Sequence, residues 1–395
     1  MSSKQPISDF DPLAPETFDS PYAEYEVLRR SCPVAFSRAW NGFWAFLRYD
    51  DVAGAASDPA TFLTSIQNVV PKVAFTGRRP PLHLDPPEHT PYRAALNPLF
   101  SQARMAALEP RVRAAVVDLL EPLIARGGGE ICADLSSHLP IRVFADWMNL
   151  APAQAETLRE VGRAYNIAVQ AHQDEVVKVN SLQLYAFARD LVAARKAKPL
   201  DPAGDPTSAL LAARAHGAPL QDDMVIGTVR QVLVVGIIAP TVVIGSITAH
   251  LCRDLALQDQ LRREPAMIPA AVEEFLRLYT SYRGFARTAV HAIERGGRRI
   301  EPGEPIALVY ASANRDESRF EQPDVFMLGR PNIAEHIAFG RGPHNCPGAG
   351  LGRMQLRLFV EELLGRTSRV ELAGPITPTH FPEIGALSVP IILTA

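Results

Sequence analysis

Residues 338–364 read AFGRGPHNCPGAGLGRMQLRLFVEELL. One cysteine, Cys346, stands between a loop holding Gly340, Gly342, Gly348 and Gly350 and an amphipathic run that predicts a helix over 349–364. Glycine removes side chains that would bar close approach to the sulfur. The first turn of a helix directs backbone N–H groups toward it. Such surroundings stabilise a thiolate. The plainer reading of the same letters is a buried free cysteine in a glycine turn. The other cysteines, Cys32, Cys132 and Cys252, are isolated and form no C-x-x-C pair. That argues against a disulfide framework and against structural zinc.

The rest of the chain sets the frame for this loop. Its 395 residues are 47% apolar and 21% charged, with a formal net charge of -3. This composition can bury a large core. It lacks the basic stripe that general nucleic-acid binding needs. The opening residues show no basic region followed by an apolar run, so a cytoplasmic location is expected. The run VLVVGIIAPTVVIGSITA, 232–249, carries no charge and approaches the length of a bilayer span. Gly236, Pro240, Gly245 and three hydroxyl residues interrupt it, and Arg230 and Arg253 flank it closely. A buried core helix is the expectation, with no membrane partner.

Most of the chain carries helical periodicity: a short helix around YAEYEVLRR, long stretches over 89–150, 152–195 and 221–279, and the final helix after Cys346. Small sheets are expected near 32–50, 286–310 and 370–394. In the first of these, Asn41-Gly42 predicts a hairpin turn. Thr64 to Leu84 is irregular, with Pro71, Gly77, Pro80 and Pro81, and is long enough to suggest a binding loop. No internal repeat is visible. The expectation is a single, mainly α domain spanning 1–395.

A lone cysteine thiolate beneath a flat cofactor suits a haem iron. Four ordered stretches resemble the cytochrome P450 superfamily of the soluble bacterial, ferredoxin-dependent class. They are FGRGPHNCPG (339–348), EEFLR (273–277), FEQPDVFMLGR (320–330) and LDPPEHTPYR (84–93). The resemblance covers nearly the whole length. It implies the cytochrome P450 fold, mainly α with small β-sheets, a haem b, dioxygen, and electrons from a partner. By the same resemblance Cys346 is the axial iron ligand, framed by Phe339, Gly340 and Gly348. His89, Arg93, Arg287 and His344 occupy the positions that hold the haem propionates, a role suited to groups that neutralise carboxylates. Glu274 and Arg277, three apart on one helix face, correspond to a charge network completed by Arg330.

The apolar run then corresponds to the helix that crosses above the haem. Family members usually carry an acid and a threonine there. Counted from Gly236, this chain has Ile238 and Ala239 instead. Neither donates a proton, and Thr241 lies about 200° further round the helix than Ala239. Pro240 has no N–H to offer the Gly236 carbonyl. Ordered water at a kink there is the expected proton route. Loss of electrons to peroxide or superoxide, and the use of hydrogen peroxide or of the substrate's own polar group, are the alternatives.

Pocket candidates by matching position are Val69, Phe75, Tyr165, Val169, Val235, Tyr282, Phe285 and Phe381. Most are apolar, so the expected substrate is a small terpenoid or aromatic molecule, hydroxylated or O-dealkylated. Arg78, Arg79 and Arg283 are candidates for reading a carboxylate. The resemblance also implies a [2Fe–2S] ferredoxin and its NAD(P)H-dependent ferredoxin reductase, with Arg104, Arg111, Arg341 and Arg353 offered to an acidic partner. A haem protein that senses without oxidising is the competing class.

Overall fold

A computed structural model describes residues 7–14, 20–72 and 76–395. Its helices are α1 Ser20–Ser31, α2 Tyr49–Ser57, α3 Thr90–Leu96, α4 Gln102–Ala125, α5 Leu139–Trp147, α6 Pro152–Gln170, α7 Asp174–Ala197, α8 Pro206–Ala212, α9 Asp222–Arg253, α10 Leu255–Arg263, α11 Ile268–Leu278, α12 Tyr310–Ala313 and α13 Ala349–Arg366. The strands are short: β1 Val34–Ser37, β2 Phe43–Phe46, β3 Phe62–Leu63, β4 Gly128–Glu130, β5 Arg214–Ala215, β6 Ala218–Pro219, β7 Phe285–Ala289, β8 Ile293–Arg295, β9 Arg298–Ile300, β10 Pro305–Leu308, β11 Arg369–Leu372, β12 Thr377–Pro378, β13 Ala386–Ser388 and β14 Pro390–Thr394. The chain is mainly α with small sheets, as the patterning predicts. It divides into two compact units, one of Met1–Val73, Glu274–Cys346 and Pro378–Ile384, the other of Ala74–Glu273, Pro347–Thr377 and Gly385–Ala395.

The first unit is organised by a five-stranded sheet in the order β1-β2-β10-β7-β3. β1 and β2 run antiparallel with Ser37 opposite Phe43, so the hairpin connection is residues 38–42. Trp40, Asn41 and Gly42 all take positive φ, which is where Asn-Gly earns its place. Alternation sends Val34, Phe36, Trp44 and Phe46 to one face and Ala35, Phe43, Ala45 and Leu47 to the other. Both faces are buried. The first set meets Val52, Phe62 and Leu308, and the second meets Ala307, Phe381 and Ile384. This explains why the strands read as continuous apolar runs.

The second unit is helical. α9 is its axis, with α5, α7, α10 and the strand β11 packed along it. The eighteen-residue apolar window of this helix is 78% buried, and among the described residues no other helix is long and apolar enough to cross a membrane. The helical pattern over 152–195 resolves into α6 and α7, separated where His172 takes a positive φ. Residues 132–136 form a single π-helical turn that the periodicity did not announce.

Phe46 has no exposed surface and meets Phe62 edge-on at 6.2 Å. Phe46→Ala is expected to destabilise the protein by about 3–5 kcal/mol, measured as a lowered urea midpoint with unchanged slope.

Candidate active site

In the first unit the chain around Cys346 folds back on itself. The Cys346 amide donates to Phe339 O at 2.8 Å, Gly340 N to Ile337 O at 2.9 Å, and Asn345 N to Gly342 O at 3.1 Å. Gly340 and Gly342 have φ of 72° and 71°. A Cβ at Gly342 would also collide with the carbonyl of Ala56, at the end of α2. This glycine therefore lets the loop seat against that helix. None of the four cysteines forms a disulfide, and Cys346 alone is exposed. Burial pushes the Cys252 thiol up to about 12 and raises those of Cys132 and Cys32 as well.

The same unit gathers further candidates. His344 Nε2 lies 3.2 Å from Thr64 Oγ1. β3 pairs antiparallel with β7, Leu63 opposite Thr288, so the register continues toward Thr64 beside Arg287. Arg287 is 4% exposed, donates to Ala286 O at 2.9 Å, and lies close enough to Tyr310 to interact electrostatically with its hydroxyl. Among the described residues it has no carboxylate partner. Phe339 and Gly340 are half-buried in the same loop.

Glu274, Arg277 and Arg330 meet, each no more than 2% exposed. Arg277 grips the carboxylate with two bonds of 2.8 Å. Arg330 approaches from the other side at 3.0–3.2 Å, and Met327 N adds a bond of 2.9 Å. The two guanidiniums then reach the carbonyls of Asn314, Pro323, Val325, Glu321 and Gln322. One carboxylate thus fixes α11 to the stretch before the cysteine loop. Burial alone would raise the Glu274 pKa, but the hydrogen bonds from Arg277 and Arg330 hold it below its ordinary value.

In the second unit, His89 is buried just before α3, and its carbonyl accepts from Arg93 N at 3.3 Å. Arg93 is half-buried one turn on, and Gly348 precedes α13. α9 is helical without a break through Pro240. Val235 is 47% exposed, and Gly236, Ala239 and Pro240 are half-buried. Their spacing makes one stripe on an otherwise buried helix. Ile238 is buried to one side of the stripe. A Cβ at Gly236 would collide with the Phe144 ring, so this glycine lets α5 close on α9. Thr241 shares its hydroxyl between Ser136 O and Ile237 O, 2.8 Å each, and has no proton to spare.

Several pocket candidates have other tasks. Phe381 is 2% exposed in the sheet core, 5.2 Å from Trp40 and 5.8 Å from Phe43. Arg283 is spent on Glu383 O at 2.9 Å and covers the Phe381 ring. Arg104 holds Ala203 O, Trp147 O and Gly204 O, and Arg353 pairs with Glu273 at 2.6 Å. Tyr282 stacks on Phe285 with ring centroids 4.4 Å apart, and Val69 bridges Phe285. Val169 is half-buried on α6, beyond the buried Tyr165. Phe75 lies outside the described residues. Thr64, just past β3, and Tyr310, at the start of α12, were not anticipated, since a lone hydroxyl residue carries no local signal. Arg230 was visible only as the charge flanking the apolar run. It is 1% exposed on α9.

Comparison with known proteins accounts for this arrangement. The family model for cytochrome P450 matches residues 205–393. The chain is 30% identical over 402 residues to cytochrome P450 CYP199A2 of Rhodopseudomonas palustris (strain ATCC BAA-98 / CGA009), covering 98% of this chain and 95% of that protein. The chain belongs to the cytochrome P450 family. Linalool 8-monooxygenase of Pseudomonas putida is also 30% identical, over 90% of both chains. The solved Mycobacterium marinum cytochrome P450 CYP268A2, in complex with pseudoionone, superposes with a TM-score of 0.88 at 26% identity, covering 99% of this chain and all of that one.

P450 membership implies a haem b held through a cysteine thiolate, and the residues present fit one. Cys346 is the exposed thiol in a glycine-framed loop, and Arg287 is a buried permanent cation of the kind a haem carboxylate would answer.

Glu274→Gln leaves two buried guanidiniums without their anion and is expected to cost about 3–5 kcal/mol. Because the folded pKa of Glu274 is depressed, its contribution is complete above its ordinary value of 4.5 and fades as pH falls through the lower folded value. Urea unfolding from pH 6 to pH 3 should show wild type losing stability more steeply than the variant.

Proposed function

We propose that the whole chain acts as one catalytic domain, a haem-thiolate monooxygenase that inserts one atom of O2 into a small, mainly apolar organic molecule. The observation that carries this reading is the exposed Cys346 in its closed glycine loop, in the same unit as the unanswered Arg287. Cys346 would ligate the iron, framed by Phe339, Gly340 and Gly348, and Arg287, His344, His89 and Arg93 would hold the propionates. Bound in this way, a haem would supply oxygen activation. The residues of α9 would shape the passage of water and protons. Val235 and Ala239 offer apolar surface and exclude bulk water. Ile238 and Ala239 carry no proton, and the Thr241 hydroxyl is occupied. Protons would therefore travel through ordered water held by the Gly236 carbonyl, to which Pro240 gives no N–H.

The substrate would be a terpenoid or aromatic compound, and hydroxylation and O-dealkylation are the same abstraction of hydrogen at different carbons. The relative named for linalool and the neighbour bound to pseudoionone support the terpenoid side. Electrons would come from a [2Fe–2S] ferredoxin and its NAD(P)H-dependent reductase, in the cytoplasm. The exposed Arg111 and Arg341, the latter bonded to Tyr49 at 3.1 Å, remain candidates to meet an acidic partner. Ile238-Ala239 also favours a second reading, in which hydrogen peroxide is the oxidant and no ferredoxin is needed.

The purified protein, reduced under carbon monoxide, should show the red-shifted band of thiolate ligation, and Cys346→Ala should lose it. Product formed with NADH, a surrogate ferredoxin and its reductase supports the monooxygenase. Product formed only with peroxide supports the second reading. Replacing Ile238 by Asp and Ala239 by Thr together should change the yield of product per NADH by less than about threefold if water already serves as the relay. A gain above about tenfold would sink the water route.

A further inference from the structure

Two arginines meet inside the second unit, and among the described residues no acidic residue answers them. Nη2 of Arg230 on α9 donates to Ser181 Oγ at 3.0 Å. The Arg230 guanidinium lies 5.2 Å from the Tyr165 ring centroid and 5.7 Å from that of Tyr185. Arg79 comes from the Pro-rich loop ahead of α3 and lies close enough to Arg230, Tyr165 and Tyr185 to interact electrostatically with each. Nε of both arginines is buried without a hydrogen-bond partner. Among the described residues neither forms an ion pair.

The main chain forces this meeting. Gly227 lies one turn before Arg230, and a Cβ there would collide with the carbonyl of Arg78. That carbonyl accepts from the Tyr185 hydroxyl at 3.1 Å, and Thr76 Oγ1 lies 2.7 Å from Ser181 Oγ. The loop is thus clamped onto α7 and α9, with Arg79 held beside Arg230. His83 follows in the same loop. Burial, then Arg79, Arg230 and Arg78, push its pKa down to about 3, so it adds no charge at neutral pH. Arginine stays protonated in proteins, and buried charges are normally paired. At Glu274 the rule is kept, since that carboxylate answers both Arg277 and Arg330.

We propose that Arg79 and Arg230 bind the carboxylate of an otherwise apolar acid, and that this acid is the substrate. Two guanidinium forks match the planar carboxylate and would bring their buried Nε–H groups a partner. Tyr165 and Tyr185 give apolar surface beside the head group. The body of the acid has its path on α9. Gln231, Val235 and Ala239 follow one another at successive turns, about 12 Å from first to last. An apolar acid such as a para-substituted benzoate or a medium-chain alkanoate would lay its body along this line, with its far carbon toward Ala239. Arg78, which is exposed, and Arg283, which is spent on Glu383, take no part.

The fate of the acid rests on the oxygenase reading, but its binding does not. The test titrates the haem-loaded protein with 4-ethylbenzoate and 4-ethylbenzamide, and with octanoate and octanamide, by calorimetry and by the spin-state change in absorbance. Wild type should bind each acid at least about tenfold more tightly than its amide. In Arg79→Gln and Arg230→Gln that preference should fall below about threefold, with the amide affinity unchanged. Arg79 sits in a loop, so its variant serves even if the α9 variant fails to fold. Equal affinity of acid and amide in wild type, or a preference kept in Arg79→Gln, would overturn the proposal. So would displacement of the acids by equimolar inorganic phosphate, which would make the pair a site for tetrahedral oxyanions. If amides and acids shift the spin state alike, the oxygenase reading stands and the acid site falls. If the carbon monoxide band is absent while calorimetry shows the acid preference, the reverse holds.

Discussion

A buried charge must be answered, and the first unit is built around one answer. Glu274 takes hydrogen bonds from two guanidiniums and a backbone amide, and those guanidiniums spend their remaining donors on five carbonyls of the stretch 314–325. Removing charges from water is costly, and the cost is recovered only when every donor and acceptor is satisfied. Here they are. The result is an irregular segment, without strand or helix to stiffen it, held as firmly as regular structure. The cysteine loop follows directly from that segment, so its position is inherited from a carboxylate more than sixty residues earlier in the chain.

The second unit treats charge differently. Arg230 is as deeply set, and Arg79 is half-buried near it, yet their neighbours are phenol rings, a serine hydroxyl and each other. Phenol rings offer some attraction to a cation but not the full countercharge. The contrast between the two clusters, one closed and one open, separates charge that organises the fold from charge held ready for something else.

Much of this was legible in the letters, and the pattern of what was not has a physical cause. The loop around Cys346 is contiguous, so its glycines and its cysteine read together. Glu274 and Arg277 share a helix face by their spacing, and β1 and β2 are joined through Asn41-Gly42, whose backbone preference is local. Phe381 failed as a pocket residue because an isolated aromatic in a tail says nothing about which surface it meets, and it meets the hairpin's Trp40 and Phe43. Arg104 failed because its carbonyl partners come from distant turns. Arg79 and Arg230 are about 150 residues apart, and only a contact enabled by the missing side chain of Gly227 joins them. The apolar stretch of α9 was read correctly as interior, yet the charge at its edge was taken for a boundary when it is interior too.

That glycine contact has an evolutionary consequence. The loop is fastened by the carbonyl of Arg78, the hydroxyl of Thr76 and the absent side chain of Gly227, none of which depends on what residue 79 carries. Architecture and recognition are therefore written at different positions. A lineage could exchange the side chain at 79 by a single codon, and with it the polarity of the compounds it consumes, while the surrounding scaffold stayed as it is.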